Sequence, residues 1–504
     1  MKKPILILLL IIFLALAFRI PAVLTSQSFW LDEIVSLEIA KYNIVDSWEY
    51  LKWENNPPLH YWFLHFWLKI FGQSEKALRF SSVLFNILSI LAIYFLGRNL
   101  INSKVGLFAS LLLSLSSYHL YLSMEARMYP MLIFFAILSC YFFWNVIKHQ
   151  KRKDWILYII FSVLTYYIHL TGLFLFISQN IYFIFYHYYL KRKEPKIINW
   201  LVSQMFILLL FSPWLINFIL THLYRFNQNA WYLHTVGSGF FIFQLPRSFF
   251  LLANQIEIID LSALLLFSAL FILSFVKFSS LSSNKKDYKI NLFFSQETIF
   301  LLILFAVPVL IGFVFQFWVA KYYSVASTGC FLLLASGFNN LKLSKKVSYI
   351  VIIFIIVMFV SPGLQIMRIN QHGWHKVANY VEQHEKPGDK ILITTFIYQL
   401  PFSHYYHGQT EIVGYQPQGL EDDLLLKTVK YNWYAILTKE NMPDLNKILE
   451  KNKRVIVVNP TTASLVHRSN LVLDWFVENN WKFQYKEQFG GFVRSNVLIF
   501  ERPK

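Results

Sequence analysis

PILILLLIIFLALAFRIPAVLTSQSFWLDEIVSLEIA, residues 4–40, decides the fold. Residues 4–24 form a nearly unbroken apolar run, and about 20 such residues are what an α-helix needs to cross the hydrocarbon of a bilayer. Lys2 and Lys3 precede it, as in a secretory leader, but no small-residue cleavage site follows, so the run reads as a retained first helix. Two carboxylates, Asp32 and Glu33, stand just beyond it, at the depth where a side chain meets both water and lipid head groups.

The rest of the 504-residue chain has the same character, with 56% hydrophobic, 19% aromatic and only 15% charged residues. A soluble protein, a disordered chain, a collagen-like repeat and a disulfide scaffold are all excluded by that composition. A net charge of +18 would raise the question of nucleic acid in a soluble chain. Here the basic residues gather in short connections between apolar runs, at Arg98 and Lys104, Lys148–Lys153, Lys191–Lys196, Lys277–Lys289 and Lys342–Lys346. Such clusters mark cytoplasmic loops, and no nucleic-acid partner is expected. Cys140 and Cys330 both lie in apolar runs and suggest neither a structural disulfide nor a cysteine-rich zinc site.

Measured against the span length, the apolar runs number about eleven: 4–24, 75–97, 105–122, 129–147, two within 155–190, 197–219, 259–276, 298–319, 324–340 and 347–366. The pair within 155–190 turns outside near His169, Thr171 and Gly172. An odd number of crossings makes a multi-pass protein of the plasma (inner) membrane with its last 138 residues outside. The fold expected is a polytopic α-helical membrane domain, residues 1–366, followed by an extracytoplasmic α/β domain, residues 367–504. That tail holds 17 basic and 14 acidic residues. Its pattern gives a helix over 374–385, a turn at Lys386–Asp389, strands at 391–395, 434–438, 455–458 and 497–501, and a helix near 471–479. No glycine-rich phosphate loop occurs in it.

The first outer loop, residues 25–74, is long and rich in Trp, Tyr and His. Helical spacing covers Asp32–Tyr42, and Leu59–Phe71 follows Pro57-Pro58, a favoured helix start. Trp62, Phe66 and Trp67 suit the second helix to the bilayer surface. Asp32 can cap the first helix, with Glu33 favourable in its first turn. Adjacent helical positions point about 100° apart, so the two carboxylates cannot both aim at one reacting atom, and one is expected to be a base and the other structural. Glu125 and Arg127 form a second acid–base pair in SMEARMYP, residues 123–130, although Arg127 could also simply reach for the interface. Lys321, with Tyr322 and Tyr323, stands where it can hold a lipid phosphate or serve as a topological anchor. His60 and His65 are five apart, not the i, i+4 pair of a helical zinc motif. His119, His169 and His234 also fall on the outer side, His169 at a membrane turn.

Taken in order, LDEIVSLEIA (31–40), NNPPLHYWFLHFWLKIFGQSEKALRFSSVLFNIL (55–88) and EARMYP (125–130) resemble the GT-C polyprenyl-phosphate-sugar glycosyltransferases. The nearest group is the family 39-like set of bacterial relatives of protein O-mannosyltransferase and lipid A aminoarabinose transferase. The likeness runs over about residues 1–200 and includes IHLTG (168–172), KYY (321–323) and WHKVANYVEQHEKPGDKIL (374–392) beyond it. It implies a membrane enzyme that moves a sugar from a polyprenyl-phosphate donor to a lipid, glycan or protein acceptor on the outer face. It places the catalytic acids at Asp32, Glu33 and Glu125, and substrate contacts at His60, Arg127, Tyr129, His169, Lys321 and Tyr322. Two departures matter. Lys321-Tyr322 replaces an Arg-Tyr and loses the bidentate fork, and Asn55-Asn56-Pro57 replaces the Glu-Lys-Pro of the aminoarabinose transferases, which disfavours that substrate. The cofactor is left open, a divalent cation included. The chemistry needs no nucleotide: an acceptor hydroxyl attacks the anomeric carbon, Asp32 takes its proton with inversion, and a cation steadies the leaving lipid phosphate. The rival class is a lipid-linked oligosaccharide flippase or transporter, which commonly shows two related halves; no such repeat occurs here.

Overall fold

The computed structural model describes residues 2–25, 28–225, 257–280, 288–292, 294–315, 317, 319–341, 343–368, 373–431, 442–461, 466–489 and 494–503. The chain opens with α1 (Lys2–Thr25), then three helices of the first loop, α2 (Leu31–Lys41), α3 (Trp48–Leu51) and α4 (Leu59–Phe71). The bundle continues with α5 (Glu75–Leu100), α6 (Ser103–Leu115), α7 (Ser117–Ser123), α8 (Tyr129–His149), α9 (Arg152–Ile168), α10 (Leu173–Ile184), α11 (Ile197–Arg225), α12 (Glu257–Leu273), α13 (Gln296–Val314), α14 (Ala326–Asn340) and α15 (Lys345–Arg368). Helices therefore occupy each apolar run. Among the described residues five are long and apolar enough to cross a bilayer by themselves, or six if a bent pair is one span. Others are shorter than a full crossing, α9 at 17 residues and α14 at 15 among them.

The run 105–122, expected as one span, is bent: α6 and α7 meet at 61°. Ser116 interrupts the helix with an extended ψ of 119°, and its hydroxyl accepts from the His119 N–H. A break inside a membrane frees backbone carbonyls that need new donors. Arg19 of α1, fully buried, supplies them, donating from Nη1 to Ser114 O at 2.8 Å and from Nη2 to Leu113 O at 3.4 Å, while its Nε bonds Asn86 Oδ1 at 2.8 Å. Close packing of α5 on α6 rests on glycine: a Cβ at Gly106 would stand 2.4 Å from Tyr94 O, the small-residue contact typical of helices in lipid. A β-hairpin, β1 (Val276–Ser280) with β2 (Tyr288–Leu292), follows α12 in what was expected to be a plain basic loop.

The tail carries α16 (Trp374–His384), β3 (Lys390–Ile393), α17 (Gln399–Tyr405), β4 (Ile412–Gly414), α18 (Leu424–Tyr431), α19 (Leu445–Leu449), β5 (Arg454–Thr461), α20 (Val466–Glu478), β6 (Lys482–Phe489) and β7 (Arg494–Glu501). The strands form one sheet in the order β4-β3-β5-β7-β6. β3 is parallel to β4 and β5, whereas β7 is antiparallel to β5 and β6. This is the α/β layering expected, with β4 and β6 added; the strand expected at 434–438 and His234 lie outside the described residues.

The tail rests on the first loop. Leu400 and Tyr405 of α17 pack against a cluster that includes Phe29, Ile34, Leu37 and Leu64. The Tyr405 hydroxyl accepts from Phe29 N at 2.6 Å and donates to Glu75 Oε1 at 3.0 Å. Ser28 is tied to His375 through both the ring nitrogen, at 2.6 Å, and the backbone N–H, at 3.0 Å. Tyr50 OH reaches Asp423 Oδ2 at 3.3 Å, and Lys430 lies over the Trp53 ring.

Candidate active site

The first loop folds as it does because Glu33 organises it. Trp30, not Asp32, occupies the N-cap of α2, and Glu33 at the third helical position accepts from the Trp30 N–H at 3.2 Å. Both carboxylate oxygens of Glu33 also bind Arg79 of α5, Oε1 from Nε at 2.8 Å and Oε2 from Nη2 at 2.7 Å, and Oε1 takes the Ala126 N–H at 2.8 Å. Glu33 and Arg79 are wholly buried. A carboxylate so saturated clamps α2, α5 and the connection after α7 together, and faces away from the cavity.

Asp32, one residue earlier, points into that cavity. The space is about 330 Å³ and is lined by Asp32, Glu54, Arg127, Tyr129, His169 and Tyr322, with apolar walls from Leu170, Phe174, Leu215 and Phe317. Arg127 Nη2 lies 3.7 Å from Asp32 Oδ2, and Nη1 donates to Asp32 O at 2.9 Å and to Ser36 Oγ at 2.8 Å. The Asp32 side chain is 31% exposed against 6% for Arg127. Burial opposes the charge on Arg127, but Asp32 and then Tyr61 and Tyr129 outweigh it and hold the guanidinium above its ordinary pKa.

The expected pairing of Glu125 with Arg127 is corrected. Glu125 Oε2 binds Lys321 Nζ at 2.8 Å, and Tyr121 OH donates to its other oxygen. Two residues apart on an irregular turn, Glu125 and Arg127 project to different neighbours, so each acid takes a cation from another segment. Lys321 is further enclosed by Trp30, Tyr121 and Tyr129, at 4.9, 5.8 and 5.7 Å from the ring centres. Burial opposes its charge, and Glu125 first among the rest raises its pKa above the ordinary lysine value. Asp32, Glu125, Arg127 and Lys321 thus form a charge-balanced network beside the cavity.

His169 sits between Tyr129 and Tyr322, ring centres at 5.3 and 5.8 Å. Its Nδ1 accepts from the Thr171 N–H at 3.1 Å and meets Thr171 Oγ1 at 2.8 Å, which puts the proton on Nε2. Burial and the Arg127 charge lower its pKa to about 3, so it is a neutral donor. His60 is buried, edge-on to Tyr61, with its pKa also lowered to about 3 by burial and by Arg127; it is not among the cavity-lining residues.

Of the residues singled out in the sequence, the structure brings Asp32, Arg127, Tyr129, His169 and Tyr322 to the cavity, whereas Glu33, His60, Glu125 and Lys321 are not among its lining residues, Lys321 lying over the ring of Tyr129. Polar and tail-borne lining residues were among those missed. Glu54 directly precedes the Asn55-Asn56 pair and accepts from Asn56 Nδ2 at 2.8 Å; an acid abutting a noted motif was the available signal. Thr428 and Val429, on α18 of the tail, close the far side, and no local pattern announces them. No three metal-ligating side chains converge among the described residues.

Residues 55–217 match the family model described as dolichyl-phosphate-mannose-protein mannosyltransferase. The sequence matches no curated protein. Among solved structures, ArnT from Cupriavidus metallidurans in the apo state superposes with a TM-score of 0.64 at 13% identity, covering 97% of both chains. The same protein bound to undecaprenyl phosphate gives 0.58 at 12% identity, again over 97% of both. The Archaeoglobus fulgidus oligosaccharyltransferase, in complex with zinc and sulfate, gives 0.52 at 12% identity over 90% of this chain and 67% of that one. The fold is therefore the one these solved structures share.

Proposed function

We propose that this chain is an integral-membrane glycosyltransferase that takes a sugar from a polyprenyl-phosphate donor and passes it to an acceptor hydroxyl on the extracytoplasmic face. The observation that carries this reading is the placement of Asp32, a partly exposed carboxylate in a cavity beside the buried Arg127, with a second cation, Lys321, packed on the Tyr129 ring that lines the same space. Apolar walls on one side suit an isoprenoid chain, and the cations suit its phosphate. The solved relative of the same fold bound to undecaprenyl phosphate adds weight to that donor class.

In this scheme the acceptor oxygen attacks the anomeric carbon while Asp32 receives its proton. The bond between that carbon and the phosphate oxygen breaks, and the lipid phosphate leaves toward Arg127 and Lys321. His169 Nε2–H and the Tyr129 and Tyr322 hydroxyls are neutral donors for the phosphate or the sugar. A single displacement with one base inverts the anomeric centre. Glu125 holds Lys321 in place until the phosphate arrives, and no step is routed through a metal.

The membrane arrangement belongs to the same proposal: eleven crossings of the plasma membrane, residues 1–366 as the membrane domain, and residues 367–504 outside. Its support is the alternation of helix ends. Connections near residues 26–74, 124–128, 169–172 and 315–325 border the cavity, whereas the basic connections after α5, α8, α10 and α14 join the opposite ends.

Purified protein in proteoliposomes with a polyprenyl-phosphate sugar tests it. Asp32→Asn should lower transfer by about 10²–10⁴-fold, the usual share of a general base, with an unchanged melting temperature. Full activity in that variant, or lipid flipping without transfer in the unaltered protein, overturns the reading. Thiol labelling tests the topology: Lys451→Cys should react in intact cells and Lys104→Cys only after permeabilisation.

A further inference from the structure

The tail holds a second cavity, of about 350 Å³, that the proposed reaction does not use. From β3 the chain passes through α17 to β4 on one side, and from β4 through α18 and α19 to β5 on the other. The crevice lies along the edge strand β4 and the loop that follows it, between α17, α18 and α19. Gly414 and Tyr415 at the end of β4 form one wall, and Gln399, Gln416, Lys427 and Pro443 complete it. A Cβ at Gly414 would stand 2.3 Å from Gln399 Oε1, so the glycine lets that amide lie against the strand end.

Two of these groups lack partners. Lys427 is only 7% exposed, yet its ammonium makes no hydrogen bond or ion pair among the described residues. Arg79, Arg127 and Lys321 by contrast each hold a carboxylate. Asp422 and Asp423 favour the Lys427 charge only from beyond ion-pair distance, and burial lowers its pKa. Gln416 Oε1 is also buried without a donor. Native proteins leave few such groups unmatched, and here an ammonium that lacks an anion and an amide oxygen that lacks a hydroxyl line the same space.

We propose that this crevice binds an anionic sugar group, a sugar phosphate or a sugar carboxylate. The anion answers Lys427, and ring hydroxyls answer Gln416 and Gln399. Lys427 borders the crevice, while the next two residues of the same helix, Thr428 and Val429, border the reaction cavity. One helix, about 10 Å across, separates the two spaces. Assigning the bound sugar to the acceptor rests on the transferase reading; binding itself does not.

The test uses full-length protein in nanodiscs, with glucose 1-phosphate, glucuronate, glucose and inorganic phosphate as separate probes. Glucose 1-phosphate and glucuronate should bind saturably and raise the melting temperature, and glucose and inorganic phosphate should each bind at least tenfold more weakly. Lys427→Gln should weaken both sugar anions at least tenfold. Gln416→Glu, which keeps the lysine and places a carboxylate in the crevice, should abolish anion binding while raising the melting temperature. Asp32→Asn should leave binding unchanged. No binding of either sugar anion by the unaltered protein, equal binding by Lys427→Gln, or inorganic phosphate as tight as the sugar anions overturns the proposal. Such a failure beside intact sugar transfer removes the crevice alone, whereas intact binding without transfer removes the transferase reading alone.

Discussion

Asp32 and Glu33 are adjacent in sequence and opposite in circumstance. Glu33 answers a buried guanidinium, and Asp32 meets a cavity. Glu33→Gln therefore leaves Arg79 charged, buried and unmatched, and should cost about 3–5 kcal/mol of stability, read as a lower melting temperature in detergent, where Asp32→Asn should leave it in place. Helical geometry alone shows that the two side chains diverge. Which one faces the cavity was not legible, because the deciding partner, Arg79, lies 46 residues away on another helix. The histidines add a pH dependence. His60 and His169 have folded pKa values depressed to about 3, against an ordinary value near 6.5. Below about pH 6.5 the unfolded chain binds protons there that the folded chain refuses. Stability should be full above that pH and fall by about 1.4 kcal/mol per unit for each histidine on acidification. Melting temperatures between pH 6.5 and pH 5 should show this slope, and His60→Asn should reduce it.

Elements break where their side chains allow them to. The run 105–122 is apolar enough to pass for one straight helix, and the serines near 114–117 gave only a weak hint of the turn at Ser116. The matching half of the device is Arg19, one cation in an otherwise apolar first span, whose acceptors lie 94 and 95 residues away. Arg19→Met should leave the Ser114 and Leu113 carbonyls and Asn86 Oδ1 without this donor. At about 1–3 kcal/mol for each buried polar group left unmatched, the bundle should lose about 3 kcal/mol or more, seen in detergent melting. By contrast, periodicity made α2, α4 and α16 readable to within a residue or two, because each carries its own apolar face.

Across the whole molecule, the order of apolar helices and the mixed α/β tail could be read from apolar lengths and alternating patterns. The docking of the tail on the first loop could not, since Tyr405 meets Phe29 and Glu75 across more than 300 residues. That contact fixes Thr428 and Val429 over the cavity. Val429→Trp, which fills the space from the tail side, should raise KM and lower transfer at least tenfold with the melting temperature unchanged. Tyr405→Phe should loosen the joint by about 1–2 kcal/mol, the share of a hydrogen bond to charged and backbone groups, and hydrogen exchange at Phe29 should quicken.

Because α18 closes a chamber whose floor is laid down at the start of translation, manufacture has a built-in delay. Asp423, which fastens that lid to Tyr50, is made 373 residues after it. At roughly 5–20 residues per second, the ribosome needs about 20–75 s to cover the interval. Until the final segment has been made and folded, a half-made polypeptide already threaded through lipid holds an open, unfinished pocket, and on the transferase reading newborn copies stay inert.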